Sequence, residues 1–273
     1  MQFGVTLPYD DDVQTIVELG YEAEAAGWDG VFVWDGIEGN DPWVTLAALA
    51  ARTERIKLGT MLTPVSRRRP WKLAQETATL DQFSGGRVIL PVGLGAVEIG
   101  FANYGEETDR RRRAALLDEG LDILEGLWSG EPFSYQGAHF NIDTITYAPV
   151  PVQRPRIPIW IVGAWPRPKS MRRVLRCDGL LPWKRDGAGE PTVPDDIRAM
   201  KSWVEERRNA VTPFDIVWEA DTPGDDRAAA AEMIGPWAEV GVTWWLESVW
   251  QGPRSANGID GMRERITQGP PRI

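Results

Sequence analysis

Three acidic residues stand where short apolar stretches of the chain end: Asp35, Glu219 and Glu247. Two carboxylates at a suitable separation can hydrolyse a glycoside, one as the acid and the other as the base or nucleophile. The sequence does not fix the separation of these three. An acid at the end of a strand also commonly caps the following loop, and Asp35 could do so. For Glu219 and Glu247 we favour an exposed position in a loop.

Two glycine-containing turns, residues 92–95 and 163–165, follow other apolar stretches. The missing side chains of Gly93, Gly95 and Gly163 would let a planar ring or a phosphate approach the backbone. The helices that follow would present their N-termini, which favour anions. A tight turn also explains the first pair, because a lone Gly-x-Gly is weak evidence for a ligand site.

Tryptophan is frequent, with 14 copies in 273 residues. Trp34, Trp165 and Trp183 fall at predicted strand ends, where they could wall an apolar pocket, whereas ordinary core packing accounts for most of the others. Two basic runs, 67–69 and 110–113, interrupt an otherwise acidic chain. We expect the second run to be solvated surface.

The pattern of apolar residues predicts eight strands that alternate with eight helices. The strands are predicted at 3–7, 30–34, 56–62, 87–95, 157–163, 179–182, 214–219 and 242–246. The helices are predicted at 13–26, 41–53, 71–84, 109–128, 169–176, 194–209, 227–240 and 258–267. This alternation favours an α/β fold, a parallel (β/α)8 barrel, over a doubly wound open sheet. In such a barrel the segment from Thr60 to Arg69 lies at the C-terminal end of the third strand, where active sites are built.

Length and charge limit the remaining options. We expect a single domain over residues 1–273, with a long excursion at 129–156, between helix 4 and strand 5, as a candidate lid. A net charge of −10 argues against nucleic acid or an anionic membrane as the main partner. The single cysteine, Cys177, excludes an internal disulfide, and without a signal-peptide pattern we expect a cytoplasmic location. No apolar run approaches the roughly 18 to 20 residues of a membrane span.

Several motifs occur in a characteristic order: Phe32–Asp35, Gly59–Pro70, Ala78–Arg87, Val92–Gly95, Leu127–Gly130, Pro151–Trp160 and Cys177–Gly179. In this order and spacing the chain resembles the bacterial luciferase-like flavin-dependent oxidoreductases from about residue 1 to 185, and more weakly at 241–248. The resemblance implies a TIM barrel that binds FMN or the deazaflavin coenzyme F420 at the C-terminal strand ends.

The resemblance also implies a set of cofactor-binding residues: Trp34, Asp35, Thr60, Met61, Arg69, Gly93, Gly95, Gly163, Ala164 and Trp165. We expect the ring against Thr60 and Met61, with a non-prolyl cis peptide between them. Arg69 is expected to be tied into the fold or to the phosphate end of the cofactor, with Arg67 and Arg68 freer. We expect no metal site.

Two positions depart from the family pattern. Many relatives that transfer hydride with the deazaflavin carry His after the acid of strand two and Glu after the glycines of strand four. Here these positions are Gly36 and Ala96, so no catalytic residue is assigned. The only histidine, His139, lies in the excursion, where a surface position is expected.

The sequence therefore predicts a flavin-dependent oxidoreductase or monooxygenase that acts on a small organic molecule. Between the two cofactors it favours oxygen chemistry on FMN, because general acid–base help matters less there. The alternatives are a non-catalytic flavin-binding carrier and, more distantly, a hydrolase built on the three carboxylates. A flavin reductase and a second copy of the chain, as in a homodimer, are the candidate protein partners.

Overall fold

A computed structural model of the protein describes residues 1–8, 12–184, 191–248 and 258–271. The strands in this part of the chain are β1 Gln2–Leu7, β2 Gly30–Val33, β3 Lys57–Thr60, β4 Thr63–Pro64, β5 Leu90–Gly93, β6 Pro132–Gln136, β7 Asn141–Thr146, β8 Ile159–Trp165, β9 Gly179–Lys184, β10 Asp215–Ala220 and β11 Trp244–Glu247. The helices are α1 Val13–Ala26, α2 Pro42–Arg52, α3 Pro70–Ser84, α4 Arg110–Ser129, α5 Pro168–Val174, α6 Pro194–Glu205, α7 Arg227–Glu239 and α8 Gly258–Thr267. The predicted (β/α)8 alternation is confirmed.

Nine parallel strands form the barrel, in the order β3-β2-β1-β11-β10-β9-β8-β5-β4. They occupy eight positions, because β3 and β4 are two halves of one strand: β3 pairs with β2, and β4 pairs with β5. A parallel bridge from Leu58 to Val88 joins the two sides below this break. The closed arrangement brings the C-terminal ends of all eight positions to one face, as a site made of βα loops requires.

The core has two layers. Side chains inside the barrel form one cluster, which includes Phe32, Trp160 and Trp244 in mutual aromatic contact. Alternate residues of the same strands point outward and pack with the helices in a second, larger cluster. This is why β8 is apolar on both faces, as expected for a parallel sheet covered by helices.

Aspartates fix where four of the helices begin. Asp12, Asp41, Asp109 and Asp226 each accept a hydrogen bond from a backbone N–H in the first turn, for α1, α2, α4 and α7. Such caps satisfy donors that have no partner within the helix. In α2 the capping Asp41 is followed directly by Pro42, the first residue of the helix.

The excursion at 129–156 contains the antiparallel hairpin of β6 and β7. Its turn is held by buried Glu119 of α4, whose carboxylate accepts the N–H groups of Ala138, His139 and Phe140 at 3.0–3.1 Å. The other end is tied to α3, where the Asp81 carboxylate accepts from the backbone of Val152 and Gln153. The excursion therefore lies against α3 and α4.

No helix within the described ranges combines the length and apolarity that crossing a bilayer would require.

Candidate active site at the C-terminal end of the barrel

A cavity of about 1380 Å3 opens at the C-terminal ends of the strands. Its walls come from the ends of β2, β4, β5, β8, β9 and β10 and from the first turns of α4 and α5. The lining includes Trp34, Asp35, Met61, Leu62, Gly93, Gly95, Ala164, Trp183, Val217 and Glu219. Since ligand pockets typically measure roughly 300–1,000 Å3, this one has room for a cofactor and a substrate together.

The floor is the top layer of the barrel interior. Met61, Leu62, Val162, Leu181 and Val217 line the cavity and also belong to, or pack on, the interior cluster. These side chains offer an apolar surface that could support a planar ring.

The floor residues Met61 and Leu62 lie in the break between β3 and β4. On either side of the break, the hydroxyls of Thr60 and Thr63 share a 2.8 Å hydrogen bond. Both threonines are fully buried, so Thr60 supports the floor from below and does not line the cavity. The cis peptide expected between Thr60 and Met61 is one residue further on: the non-prolyl cis bond joins Met61 to Leu62.

Asp35 holds the arginine loop that follows β4. Its carboxylate is fully buried and accepts hydrogen bonds from Arg67 at 2.6 Å and from Arg68 at 2.9 Å. Arg67 also donates to the carbonyl oxygen of Gly36 at 2.8 Å. Burial raises the pKa of Asp35, and the two guanidinium groups oppose that rise. Asp35 thus forms part of the cavity wall, and Arg67 and Arg68 neutralise its negative charge there.

The expectation for the three arginines is wrong. Arg67 and Arg68 are the anchored residues, whereas Arg69 is exposed at the start of α3 and lies over the ring of Trp71. Arg69 does not line the cavity. The Arg-Pro pair marks the beginning of a helix, where proline is favoured because no N–H is needed.

The glycines differ in what they make room for. A Cβ at Gly93 would lie 2.9 Å from Leu62 and 3.1 Å from Val162, so this glycine keeps the floor flat. Gly95 has a φ of +72° and closes the turn after β5. A Cβ at Gly163 would instead meet Leu180 at 2.3 Å, outside the cavity lining. Ala164 lines the cavity, and Trp165 does not.

One end of the cavity is basic. The residues that line it are Arg110 and Arg111 at the start of α4, Arg167 just before α5, and Lys169 and Arg173 within α5. Arg173 pairs with Asp118, whereas no carboxylate of the described residues lies within 4.0 Å of the charged nitrogens of Arg111, Arg167 or Lys169. The expectation that 110–113 is solvated surface is confirmed for Arg110, Arg111 and Arg112, which are exposed, and is wrong for Arg113, which is buried. The charge of this run could have suggested the basic end.

The fourth arginine of the run supports the turn after β5. Arg113 is buried and donates to the carbonyl oxygens of Leu94 and Gly95 at 2.6 and 3.0 Å. It also lies over the ring of Phe101, which packs against the same turn. Arg112, by contrast, points away and pairs with Glu107 at 3.0 Å.

The other two carboxylates have separate roles, and neither is the exposed group that the sequence suggested. Glu219 lines the cavity, and burial raises its pKa against a hydrogen bond from Ser248 that lowers it. Glu247 is fully buried outside the cavity, bonded to Thr222 and Arg265. Burial raises the pKa of Glu247 to about 7. Glu219 and Glu247 therefore lie in separate environments, and Asp35 is paired with Arg67 and Arg68, so the three carboxylates do not act as the acid and base of one hydrolytic site.

The positions that depart from the family pattern lie close to the cavity. Ala96 lines it, and Gly36 adjoins Asp35 in the wall. His139 is exposed in the hairpin turn, where its N–H is bound by Glu119. Trp34 and Trp183 line the cavity as predicted, and Trp218 joins them.

The arrangement matches one kind of ligand. An apolar, glycine-flattened floor suits a planar heteroaromatic ring, and a cluster of cations at one end suits an attached anionic tail. Both FMN and a deazaflavin have this form. The residues present therefore fit the cofactor type that the sequence resemblance implies.

Comparisons with known proteins agree with this geometry. The model of the family described as luciferase-like monooxygenase matches residues 1–252. An F420-dependent glucose-6-phosphate dehydrogenase of Microbacterium testaceum is 35% identical over 167 residues, which are 55% of this chain and about half, 47%, of that relative. An uncharacterized protein of Mycobacterium tuberculosis is 33% identical over 228 residues, 83% of this chain and 74% of that relative.

Among solved structures, the coenzyme F420 dependent tetrahydromethanopterin reductase of Methanopyrus kandleri superposes with a TM-score of 0.78. It covers 98% of this chain and 96% of its own, at 19% identity, which establishes the shared fold. The family match extends over most of the sequence and includes every strand of the barrel. The chain belongs to the luciferase-like monooxygenase family.

Proposed function

We propose that this protein is an oxidoreductase that binds coenzyme F420 in the cavity and transfers hydride to or from a small organic substrate. The observation that carries the proposal is the cavity itself, with its flat apolar floor and basic end. The deazaflavin, when bound, supplies a carbon-bound hydride and reacts poorly with dioxygen.

The chain's own residues position and shield the reaction. Met61, Leu62 and Val162 support one face of the ring, and Gly93 keeps that support flat. The buried pairing of Asp35 with Arg67 and Arg68 fixes the neighbouring wall. Holding the ring and substrate in one apolar space excludes water and sets their orientation, which is the protein's main contribution to a cofactor-dependent reaction.

The basic end favours F420 over FMN. The side chain of F420 carries a phosphodiester and carboxylates, whereas FMN ends in a single phosphate. The cations of this end are spread over the start of α4, with Arg110 and Arg111, and along α5 and the residue just before it, with Arg167, Lys169 and Arg173. This spread suits a longer polyanion, and the named activity of the Microbacterium testaceum relative points the same way. We therefore replace the preference for FMN that the sequence suggested.

FMN-dependent oxygenation remains the second candidate. The family model is described as a luciferase-like monooxygenase, and the cavity has room for FMN and a substrate. Gly36 and Ala96 also leave the family's usual acid and base positions empty of such groups.

Binding titrations distinguish the candidates. We expect the purified protein to bind F420 more tightly than FMN, as measured by cofactor fluorescence or absorbance. The double variant Arg111→Ala with Lys169→Ala should weaken F420 binding by roughly tenfold, which corresponds to about 1.4 kcal/mol. Raising the salt concentration should reduce this difference, because screening weakens exposed charge interactions.

Arg112→Ala is the matched control, because Arg112 lies in the same turn of α4 but pairs with Glu107 and is absent from the cavity lining. It should leave F420 binding unchanged. Tighter binding of FMN than of F420 would support the monooxygenase. Failure of both cofactors to bind would refute the proposal.

A further inference from the structure

Four carboxylates of the described residues line the cavity, and Glu219 is the one of them that lies within a barrel strand; the others are Asp35, Glu98 and Asp118. In β10, Ile216 packs in the outer core layer and Val217 in the barrel interior. Side chains alternate along a strand, so Glu219 points to the same side as Val217, one layer nearer the C-terminal end. It therefore reaches the cavity from directly above the apolar floor.

The surroundings of Glu219 are apolar and aromatic. Leu181 and Trp183 line the cavity from β9, and Val217 and Trp218 line it from β10 itself. The side chain of Ser248 hydrogen-bonds to the Glu219 carboxylate and lowers its pKa, against the larger effect of burial, which raises it. A carboxylic acid in such surroundings tends to keep its proton.

The basic residues lie elsewhere in the cavity. All five cations among the described lining residues come from the start of α4, from α5 and from the residue just before α5. The described lining residues of β2, β9 and β10 and the loops after them include no lysine or arginine. Lys184, which follows Trp183, is held by Asp196 of α6 at 3.2 Å and is absent from the lining.

We infer that Glu219 is a catalytic acid–base residue, which exchanges a proton with the oxygen of an uncharged, apolar carbonyl or alcohol substrate bound against Leu181, Trp183 and Val217. This inference rests on the proposed function. It supplies the proton-transfer group that Gly36 and Ala96 do not provide. It also favours an uncharged substrate over a sugar phosphate, because the described lining residues of β9 and β10 would present a carboxylate and no cation to a phosphate dianion.

The reaction balances as follows for carbonyl reduction. A hydride passes from reduced F420 to the carbonyl carbon and forms a C–H bond, so the carbonyl is reduced and the deazaflavin is oxidised. The Glu219 O–H bond breaks and its proton goes to the carbonyl oxygen. The oxidised ring releases its N–H proton, and the Glu219 carboxylate takes up a proton from solvent. Alcohol oxidation runs the same steps in reverse, with Glu219 starting as the carboxylate.

Substrate class is tested first, without any cofactor. Quenching of tryptophan fluorescence in the purified protein should show saturable binding of cyclohexanone, because Trp183 lines its site. Glucose 6-phosphate should give no saturable change. Tighter binding of glucose 6-phosphate than of cyclohexanone would overturn the inferred substrate class, whether or not F420 binds.

The catalytic role is tested by single-turnover oxidation of reduced F420 with cyclohexanone. Glu219→Gln should bind F420 as the native protein does, yet react roughly 10²- to 10⁴-fold more slowly, the usual contribution of general acid catalysis. Glu219→Asp should recover part of the rate. Glu232→Gln, an exposed site on α7 of the same βα unit, is the control and should react at the native rate.

The pH profile separates catalysis from a structural role. The native rate of carbonyl reduction should fall as pH rises and Glu219 loses its proton, and Glu219→Gln should lack this fall. Normal F420 binding with equal rates in Glu219→Gln and the native protein would overturn the catalytic role alone. Absence of F420 binding by the native protein would instead overturn the proposed function, and with it the role of Glu219.

Discussion

At the scale of single residues, the three strand-end carboxylates differ in the groups that they contact. Asp35 is neutralised by two arginines inside the wall, Glu247 is enclosed with Arg265, and Glu219 faces the cavity. A carboxylate at the end of a strand therefore belongs to the cavity wall in the first case, to a buried hydrogen-bond network in the second and to the candidate site in the third. The difference lies in which cations the tertiary structure brings within reach.

The buried ion pairs of Asp35 with Arg67 and Arg68 predict that removal of the Asp35 side chain greatly lowers the free energy of unfolding. Asp35→Ala leaves Arg67 with an unpaired buried charge, because only 8% of that side chain is exposed. Breaking a buried pair in this way costs about 3–5 kcal/mol. Urea unfolding should show this loss for Asp35→Ala, whereas Arg69→Ala should stay within about 0.5 kcal/mol of the native protein because it is a surface substitution. Similar losses for the two variants would contradict the assignment.

Glu247 predicts a pH dependence of stability. Burial raises its pKa from 4.5 in the unfolded chain to about 7 in the folded protein. The folded state therefore binds more protons between these pH values, and its contribution to stability is full below about pH 4.5 and is lost as pH rises through 7. Measured between about pH 5 and pH 8, the free energy of unfolding of the native protein should fall relative to that of Glu247→Gln. Parallel curves would show that Glu247 does not titrate in this range.

At the scale of elements, the divided third strand shapes the floor. The hydrogen bond between Thr60 and Thr63 spans the break, and Met61 and Leu62 leave the ladder there to line the cavity. Arg113 then fixes the turn after the neighbouring strand through the carbonyls of Leu94 and Gly95. Short connections between strand and helix thus carry most of the candidate site, as in other barrels.

Gly93 and Gly163 lie in neighbouring strands. We expect substitution by alanine to weaken cofactor binding at Gly93 and to lower the stability of the fold at Gly163. Gly93→Ala would push a methyl group against Leu62 and Val162 in the floor, so F420 binding should weaken by tenfold or more while the fold is largely kept. Gly163→Ala would press on Leu180 behind the strand. Such overpacking costs about 1–3 kcal/mol. Cofactor titration and urea unfolding of both variants check this, and a reversed pattern would contradict the described floor.

At the scale of the whole molecule, the closed barrel collects the ends of six strands and two helices around one cavity. The acidic chain nevertheless has a basic end to that cavity, because the start of α4 and the residues of α5 both line it there, and Arg173 of α5 pairs with Asp118 of α4. A ligand that fits this cavity binds the folded chain and not the unfolded one, so it must stabilise the fold.

Ligand-dependent stability is therefore a property of the whole barrel. F420 at a free concentration 100 times its Kd should stabilise the protein by about 2.7 kcal/mol. For a domain of this size that corresponds to a rise in Tm of several degrees. Calorimetric scans should show the rise with F420 and none with glucose 6-phosphate. An equal rise with both would argue for a sugar-phosphate site in the cavity.

Local sequence determined the elements of this protein. The apolar pattern of the strands, the helical spacing of the helices and the capping of α2 by Asp41 all depend on residues that are close together in sequence. The eight βα units could therefore be predicted. The same local logic placed Trp34, Met61 and Gly93 at strand ends, and these residues do line the cavity.

Tertiary structure decided which residues contact each other and which of them face the cavity. Which arginine Asp35 would bind, which side of its strand Gly163 would face, and whether Glu219 or Glu247 would reach the cavity all depend on strand register and on contacts between residues far apart in sequence. A shift of one position along a strand reverses the face of every side chain. For that reason the sequence determined the barrel and the face that carries its site, while only the closed barrel determined which charges the cavity contains.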